Sequence, residues 1–152
     1  MIDIGTITST NPKDALQQAM AKLQEQNKDY YWVGIYFLKG DRLFLGPYVG
    51  PETDHVEIPV GRGVCGTAVS EDSNQNVADV SQLGNYLACN IHTKSELVVL
   101  IKDEASGATL GQIDIDNTRL NGFNDEDEKA IAKLAQQLAP WVKAAAPEYV
   151  PT

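Results

Sequence analysis

The chain has 152 residues, the size of one ordinary domain. Its 12 lysines and arginines are scattered and outnumbered by 21 acidic residues, so the net charge of −9 disfavours binding to nucleic acid. No stretch approaches the roughly 18 apolar residues of a membrane span, and the first residues do not resemble a secretory signal. We therefore expect a cytoplasmic protein without membrane contact, forming a single domain over residues 1–152 with its core at about 11–145.

The first half of the chain predicts a helix followed by strands. Asn11 and Pro12 suit a helix N-cap and first turn, and apolar residues recur at helical spacing over residues 16–23. Residues 30–38 are rich in aromatic and β-branched types, and a turn at 39–42 leads to a second apolar segment at 43–45, which is typical of a β-hairpin. Residues 55–60 predict a further strand, which ends at a glycine-rich turn over residues 61–66. A short helix is predicted to start at Thr67.

The second half predicts a long loop, a second hairpin and a long helix. Residues 76–95 look like a loop with one brief apolar segment at 77–80, whereas residues 96–101 and 110–116 predict paired strands. Asn124 and three following acids predict the start of a helix that Pro140 would kink or end early, and residues 144–147 predict a frayed tail. The order of elements indicates the α+β class, with an antiparallel sheet flanked by N- and C-terminal helices.

The glycine-rich turn bears on the two cysteines of the chain. Gly61, Gly63 and Gly66 form a G-x-G-x-x-G pattern, but the surrounding elements do not form the βαβ unit of a dinucleotide site. The turn instead places Cys65 where a short helix opens, and a helix N-terminus lowers the pKa of a thiol. Local sequence thus favours Cys65 as the more reactive thiol over Cys89 in the long loop. Both cysteines could equally be small buried residues.

Three acidic residues lie on the predicted second hairpin. Asp114 and Asp116 share one face of their strand because side chains alternate along it, and Glu96 opens the partner strand. If the strands pair, the three carboxylates converge on a cationic or protonated ligand group. The alternative is that these acids lie at exposed strand ends.

Two further residue types leave alternatives open. His55 and His92 are candidates to join the cysteines as metal ligands, but the spacing of known metal motifs is missing, so we predict no metal site. Trp32 lies on one strand face with Gly34 and Tyr36. It is interpreted as a core aromatic residue or as the wall of a pocket.

Six segments of the chain carry a family resemblance: residues 32–36, 45–48, 58–68, 88–89, 95–99 and 114–116. Taken together, these segments resemble the free methionine-(R)-sulfoxide reductases, a group within the GAF domain family. The resemblance covers about residues 30–140, and the glycine and cysteine turn is its most specific part.

The resemblance implies a GAF fold, a homodimer and a reductase of free L-methionine (R)-S-oxide. It reverses the local preference for Cys65. The residue matching Cys89 attacks the sulfoxide sulfur, and the residue matching Cys65 resolves the sulfenic acid as a disulfide that thioredoxin reduces. No cofactor is implied beyond this external dithiol. The acids matching Glu96, Asp114 and Asp116 bind the substrate, and the tryptophan matching Trp32 lines the pocket.

The chain departs from the family pattern near the reactive cysteine. His55 stands where many members carry a third cysteine, and Tyr86 and Asn90 replace a histidine and an aspartate around Cys89. These departures keep a second hypothesis open, in which the chain is a non-catalytic GAF module that binds a small ligand or senses redox state.

Overall fold

A computed structural model of the chain describes residues 5–84 and 91–152. Its six strands form one sheet in the order β3-β2-β1-β6-β5-β4, and every neighbouring pair is antiparallel. The strands are β1 (Tyr30–Lys39), β2 (Arg42–Val49), β3 (Glu57–Pro59), β4 (Gln75–Val77), β5 (Ser95–Lys102) and β6 (Thr109–Asn117). The helices are α1 (Pro12–Glu25), α2 (Gly63–Glu71) and α3 (Asp125–Ala145). The predicted α+β class is confirmed.

Alternation along the strands divides the sheet into two faces. The face that carries Ile35, Val99 and Ile113 packs against α1 and α3 and forms the main core. The other face, which carries Trp32 and Val98, packs beneath α2 in a smaller apolar cluster. The sheet is therefore covered on both sides, and the smaller cluster lies on the same side as the acidic residues of β5 and β6.

The two long helices begin as their sequences predict. The Asn11 side chain accepts a hydrogen bond from the Asp14 amide, and Pro12 is the first residue of α1. At the start of α3, the side chains and backbone amides of Asn124 and Asp127 form a reciprocal capping box. The predicted apolar residues of both helices are buried against the sheet. None of the helices in the described part of the chain combines the length and apolar character needed to cross a bilayer.

The end of the chain differs from the prediction. Pro140 lies inside α3 at an exposed position and does not end the helix, and Leu138 and Val142 on either side of it are buried in the main core. The tail that we expected to be frayed is helical to Ala145. It is followed by a short 3₁₀ turn, after which the Tyr149 ring stacks on Phe37 of β1 at 4.7 Å between centroids.

Two boundaries in the middle of the chain also differ. Helix α2 begins at Gly63, four residues before the predicted start, so Cys65 lies within its first turn. The predicted long loop contains the edge strand β4, whose Gln75 pairs with Val98 of β5. The Asn74 side chain accepts a hydrogen bond from the Leu100 amide and holds the start of this strand in place. A three-residue polar strand has too little periodicity to be recognised from sequence.

Candidate active site

Strand register brings the three predicted acids together on the α2 side of the sheet. Glu96 lies directly opposite Asp116, and Asp114 lies opposite Val98, one side-chain step further along the same face. Side chains that face each other across antiparallel strands have Cβ atoms about 4.5–5.5 Å apart. All three acids are buried. The predicted convergence is confirmed, and the alternative of exposed strand ends is wrong.

The glycine-rich turn places Cys65 over this cluster. Gly61 and Gly63 adopt positive φ angles of 95° and 64°, and a Cβ at Gly66 would lie 2.6 Å from the Pro59 carbonyl oxygen, so each position favours glycine. The Cys65 thiol donates to Asp114 Oδ2 at 3.3 Å, and its Sγ lies 4.0 Å from Glu96 Oε2. The thiol and two carboxylates thus form one buried group.

Cys89, the residue expected to attack the sulfoxide, lies outside the described residues. The same holds for Tyr86 and Asn90, where the sequence departs from the family pattern. The described part of the site therefore consists of the second thiol, the acids and the aromatic wall.

Burial makes Asp114 and Asp116 hold protons more strongly than ordinary carboxyl groups. Desolvation raises the pKa of Asp116 well above its usual range, and the charge of Asp114 raises it further, while the Thr93 and Glu96 side chains offset part of the shift. Desolvation also raises the pKa of Asp114, although the neighbouring Glu96 and Cys65 side chains and the charge of His55 partly offset this effect. Asp116 is therefore the acid of this pair with the strongest reason to be neutral.

Several polar atoms of the cluster have no hydrogen-bond partner among residues 5–84 and 91–152. They are Asp114 Oδ1, both carboxylate oxygens of Asp116 and the Trp32 indole Nε1. The Thr93 side chain lies close enough to affect Asp116, but its hydroxyl also makes no hydrogen bond within this part of the chain. Buried polar groups are nearly always satisfied, so these atoms mark a place for a ligand or water.

The aromatic wall of the site depends on Gly34. The Trp32 ring stacks on Tyr48 at 5.5 Å and on Tyr36 at 6.1 Å between centroids. A Cβ at Gly34 would overlap the Trp32 ring and lie 2.9 Å from the Tyr48 Cβ. Tyr36 in turn donates from its hydroxyl to the His55 carbonyl oxygen at 2.9 Å. Trp32 is therefore a buried aromatic residue, as the first interpretation predicts, and its indole nitrogen has no partner among the described residues, while the pocket-wall interpretation stays a prediction.

A network of side-chain hydrogen bonds, which the sequence did not indicate, holds the start of β5 and the end of β6 next to Asp116. Ser95 donates to the Arg119 carbonyl oxygen at 2.6 Å and accepts from the Gly122 amide at 3.1 Å. The Asn117 side chain accepts from the Arg119 amide at 2.8 Å. This network fixes the loop after β6, and with it the position of Asp116. Isolated serine and asparagine residues beside a turn give no sequence signal for such a role.

A second buried polar residue, Gln112, was also missed. It lies on the same face of β6 as Asp114, between Tyr36 and Leu100 of the neighbouring strands. Neither atom of its side-chain amide has a partner among the described residues. A glutamine in a run of apolar residues is ordinarily solvent-exposed, so its burial follows from register and not from residue type.

The site also offers a set of possible metal ligands different from the one considered in the sequence. One ligand atom each from Cys65, Glu96 and Asp114 lies within 4.8 Å of the other two. Within the described ranges, neither His55 nor His92 belongs to such a group. Among residues 5–84 and 91–152, the ligand group that includes Cys65 is therefore completed by carboxylates and not by histidines, while Cys89 lies outside these residues.

Comparison with known proteins agrees with the fold. The GAF domain family matches residues 11–140. The chain is 40% identical over 125 residues to the free methionine-R-sulfoxide reductase of Escherichia coli strain K12, which covers 81% of this chain and 73% of that protein. A type II free methionine-R-sulfoxide reductase from Thermoplasma acidophilum superimposes with a TM-score of 0.83 at 39% identity, covering 88% of this chain and 93% of the other. The free methionine-R-sulfoxide reductase from Neisseria meningitidis, solved in complex with its substrate, gives a TM-score of 0.82 at 31% identity, with 92% and 83% covered.

Proposed function

The chain belongs to the GAF domain family, and on this premise we propose that it reduces free L-methionine (R)-S-oxide to methionine with an external dithiol. The observation that carries the proposal is the buried group formed by a thiol and three acids, in which Cys65 donates to Asp114 at 3.3 Å. The chain shares 40% identity with a protein named for this activity.

The acids suit the amino group of a free amino acid. An ammonium group carries three donors and one positive charge, and the buried Asp114, whose Oδ1 has no hydrogen-bond partner among the described residues, supplies an acceptor for it. Glu96 faces Asp116 across the strands and completes the cluster. A methionine sulfoxide within a polypeptide has no free ammonium, so this recognition selects the free amino acid.

The reaction needs two thiols and one proton donor. In our proposal the Cys89 thiolate attacks the sulfoxide sulfur, and the oxygen is transferred to the cysteine sulfur. Methionine is then released, and Cys89 remains as a sulfenic acid. The Cys65 thiol then attacks the Cys89 sulfur, which forms the Cys65–Cys89 disulfide and releases the oxygen as water. The substrate sulfur is reduced by two electrons, and the two cysteines lose two.

Asp116 is our candidate for the proton donor. Attack on the sulfoxide builds negative charge on its oxygen, and a neutral carboxyl group can hydrogen-bond that oxygen and protonate it. Desolvation and the charge of Asp114 raise the pKa of Asp116 well above its usual range, which favours the protonated form that a proton donor needs. Asp114 and Glu96 would then hold the ammonium, and Trp32 would line the pocket with its unpaired indole donor.

The remaining partners are part of the same proposal. A disulfide formed in each turnover must be reduced by another dithiol, for which thioredoxin is our candidate. The chemistry needs no prosthetic group, since both electrons come from the cysteines. We also propose that the chain acts as one cytoplasmic GAF domain and forms a homodimer, as the resemblance to the reductases implies.

The test is methionine release from free methionine-(R)-sulfoxide, measured with dithiothreitol and with thioredoxin. The parent should turn over with both reductants, and Cys89→Ser should have no activity with either. Cys65→Ser should lose turnover with thioredoxin, because no disulfide forms, while it retains turnover with dithiothreitol, which reduces the sulfenic acid directly. Asp116→Asn should lower kcat by roughly 10²–10⁴-fold, the usual value of general acid catalysis.

Two control substrates test the selectivity. The S epimer and N-acetyl-methionine-(R)-sulfoxide should both be poor substrates, since the first misplaces the oxygen and the second lacks the ammonium. A parent protein without turnover in either reductant would end the reductase proposal and leave a ligand-binding GAF module. Equal rates on the acetylated substrate would show that the acids do not recognise the ammonium.

A further inference from the structure

The thiol and acid cluster has the geometry of an incomplete zinc site. In a tetrahedral zinc site, Zn–S bonds of about 2.3 Å and Zn–O bonds of about 2.1 Å place sulfur and oxygen ligands roughly 3.6 Å apart. Here the Cys65 Sγ lies 3.3 Å from Asp114 Oδ2 and 4.0 Å from Glu96 Oε2. The two distances bracket the ideal value, and the two carboxylate ligand atoms lie within 4.8 Å of each other, so all three atoms are within reach of one cation.

The electrostatics of the site favour a cation in the same place. Glu96, Asp114 and Asp116 are all buried, and described residues leave Asp114 Oδ1 and both oxygens of Asp116 without hydrogen-bond partners. Removing charged or polar groups from water without partners is costly, and a metal ion relieves this cost directly. The unpaired oxygens of Asp116 lie beside the proposed ligands and can bind a water on the metal.

The choice of ligands selects the kind of metal. A cysteine sulfur disfavours magnesium and calcium, which prefer oxygen ligands, whereas zinc and cobalt accept sulfur and carboxylate together. Three protein ligands leave a fourth tetrahedral position for water, as in open zinc sites. Two separate elements, α2 and the β5–β6 hairpin, supply the ligands and keep them in place.

We propose that the reduced protein binds one divalent cation of the zinc class through the Cys65 sulfur and the carboxylates of Glu96 and Asp114. Binding displaces the thiol proton to solvent and leaves the oxidation state of the sulfur unchanged. The site occupies the acids that would otherwise hold the substrate ammonium, and it engages the resolving thiol. Zinc therefore inhibits the reductase. The binding itself requires only the cluster and does not depend on the reductase proposal.

Cobalt titration of the reduced, metal-stripped protein tests the ligand set directly. We expect a saturable signal at one equivalent, with the near-ultraviolet charge-transfer band of a thiolate–cobalt bond and the visible bands of a tetrahedral site. Zinc should displace the cobalt, and an excess of magnesium should not. A parent protein without the thiolate band would overturn the proposal.

Matched variants assign the band to residues. Cys65→Ser should abolish it, and Cys89→Ser should retain it. Loss of an outer-shell partner alone lowers metal affinity by roughly 10–100-fold, so Glu96→Gln and Asp114→Asn should weaken binding at least that much. Glu104→Gln removes an exposed acid and should leave the affinity unchanged. A band that follows Cys89, or equal weakening in Glu104→Gln, would refute the assignment.

A thermal shift measurement covers the case in which a ligand variant folds poorly. Zinc stabilises a folded state that binds it, so the parent and Cys89→Ser should show a rise in Tm that grows with zinc concentration. Asp114→Asn keeps the shape of the side chain and removes its charge, and it should show a much smaller rise. An equal rise in this variant would contradict the proposed site. Because no substrate is present, failure of this test leaves the reductase assay unaffected.

Discussion

Replacing Asp116 by asparagine should stabilise the protein at alkaline pH while it lowers activity. The side chain is fully buried, and neither carboxylate oxygen has a partner among the described residues. Asparagine has nearly the same shape and cannot ionise, so it avoids the cost of a buried charge beside Asp114. Each unit of pKa difference between the folded and unfolded states is worth about 1.4 kcal/mol, and we expect a gain of at least that order at pH 8.

The sign of the pH dependence follows from the direction of the pKa shift. Burial raises the pKa of Asp116 in the folded protein above the value of 3.8 that holds for an exposed aspartate. The folded state therefore binds more protons than the unfolded state between these two pKa values, and the free energy of unfolding falls as pH rises through that window. The Asp116 carboxyl group contributes most to the free energy of unfolding below the pKa that it has in the unfolded chain. This contribution is lost above the pKa that it has in the folded protein. Asparagine removes this slope, so the variant and parent should be similar in stability near pH 4 and differ most at pH 8.

Urea unfolding at several pH values between 4 and 8 measures this difference. In a chain of this size each kcal/mol also raises Tm by about 2–4 °C, which gives a second readout. Glu104→Gln is the matched control, since it removes one negative charge from the same chain of net charge −9 but at an exposed position. An Asp116→Asn variant with parental stability at pH 8 and an unchanged pH slope would refute the argument that Asp116 is held neutral by burial.

Two other substitutions test the aromatic wall and the long helix. Gly34→Ala places a methyl group in the Trp32 ring, so we expect a loss of about 1–3 kcal/mol in stability and a higher KM for the sulfoxide. Gly84→Ala is the control, because a methyl group there meets no described atom. Parental kinetics in Gly34→Ala would contradict the proposed wall. Pro140→Ala restores a backbone donor on the exposed side of α3 and should raise the free energy of unfolding by about 1–2 kcal/mol in urea, whereas a decrease would mean that the proline is favourable where it stands.

The sequence predicted those parts of the fold that depend on strong periodicity. Helices α1 and α3 begin at asparagine caps, strands β1 and β5 contain long apolar or aromatic runs, and β6 alternates apolar and polar residues near its end. Alternation along β6 was enough to place Asp114 and Asp116 on one face, and pairing with β5 brought Glu96 to them. The convergence of the acids follows from local pattern plus a single hairpin.

The remaining parts of the site depend on contacts that are distant in sequence. Cys65 lies over Asp114 because α2 crosses the sheet, and no local pattern specifies that distance of 3.3 Å. The edge strand β4 is short and mostly polar, so its own sequence does not predict a strand. It is extended because it pairs with β5. Tyr149 is held by its stack on Phe37, more than a hundred residues earlier in the chain, so composition alone suggested fraying.

One sheet serves both stability and chemistry because adjacent residues of β6 point to opposite sides. Ile113 and Ile115 lie in the main core, whereas Asp114 and Asp116 lie in the site. Burial of the apolar partners offsets the cost of burying the acids a single residue away. The acids then have one common requirement, which is positive charge. A proton, a substrate ammonium and a zinc ion each supply it, and each excludes the others from the same oxygens. Under our two proposals, protonation, substrate binding and metal inhibition would all be consequences of one buried cluster.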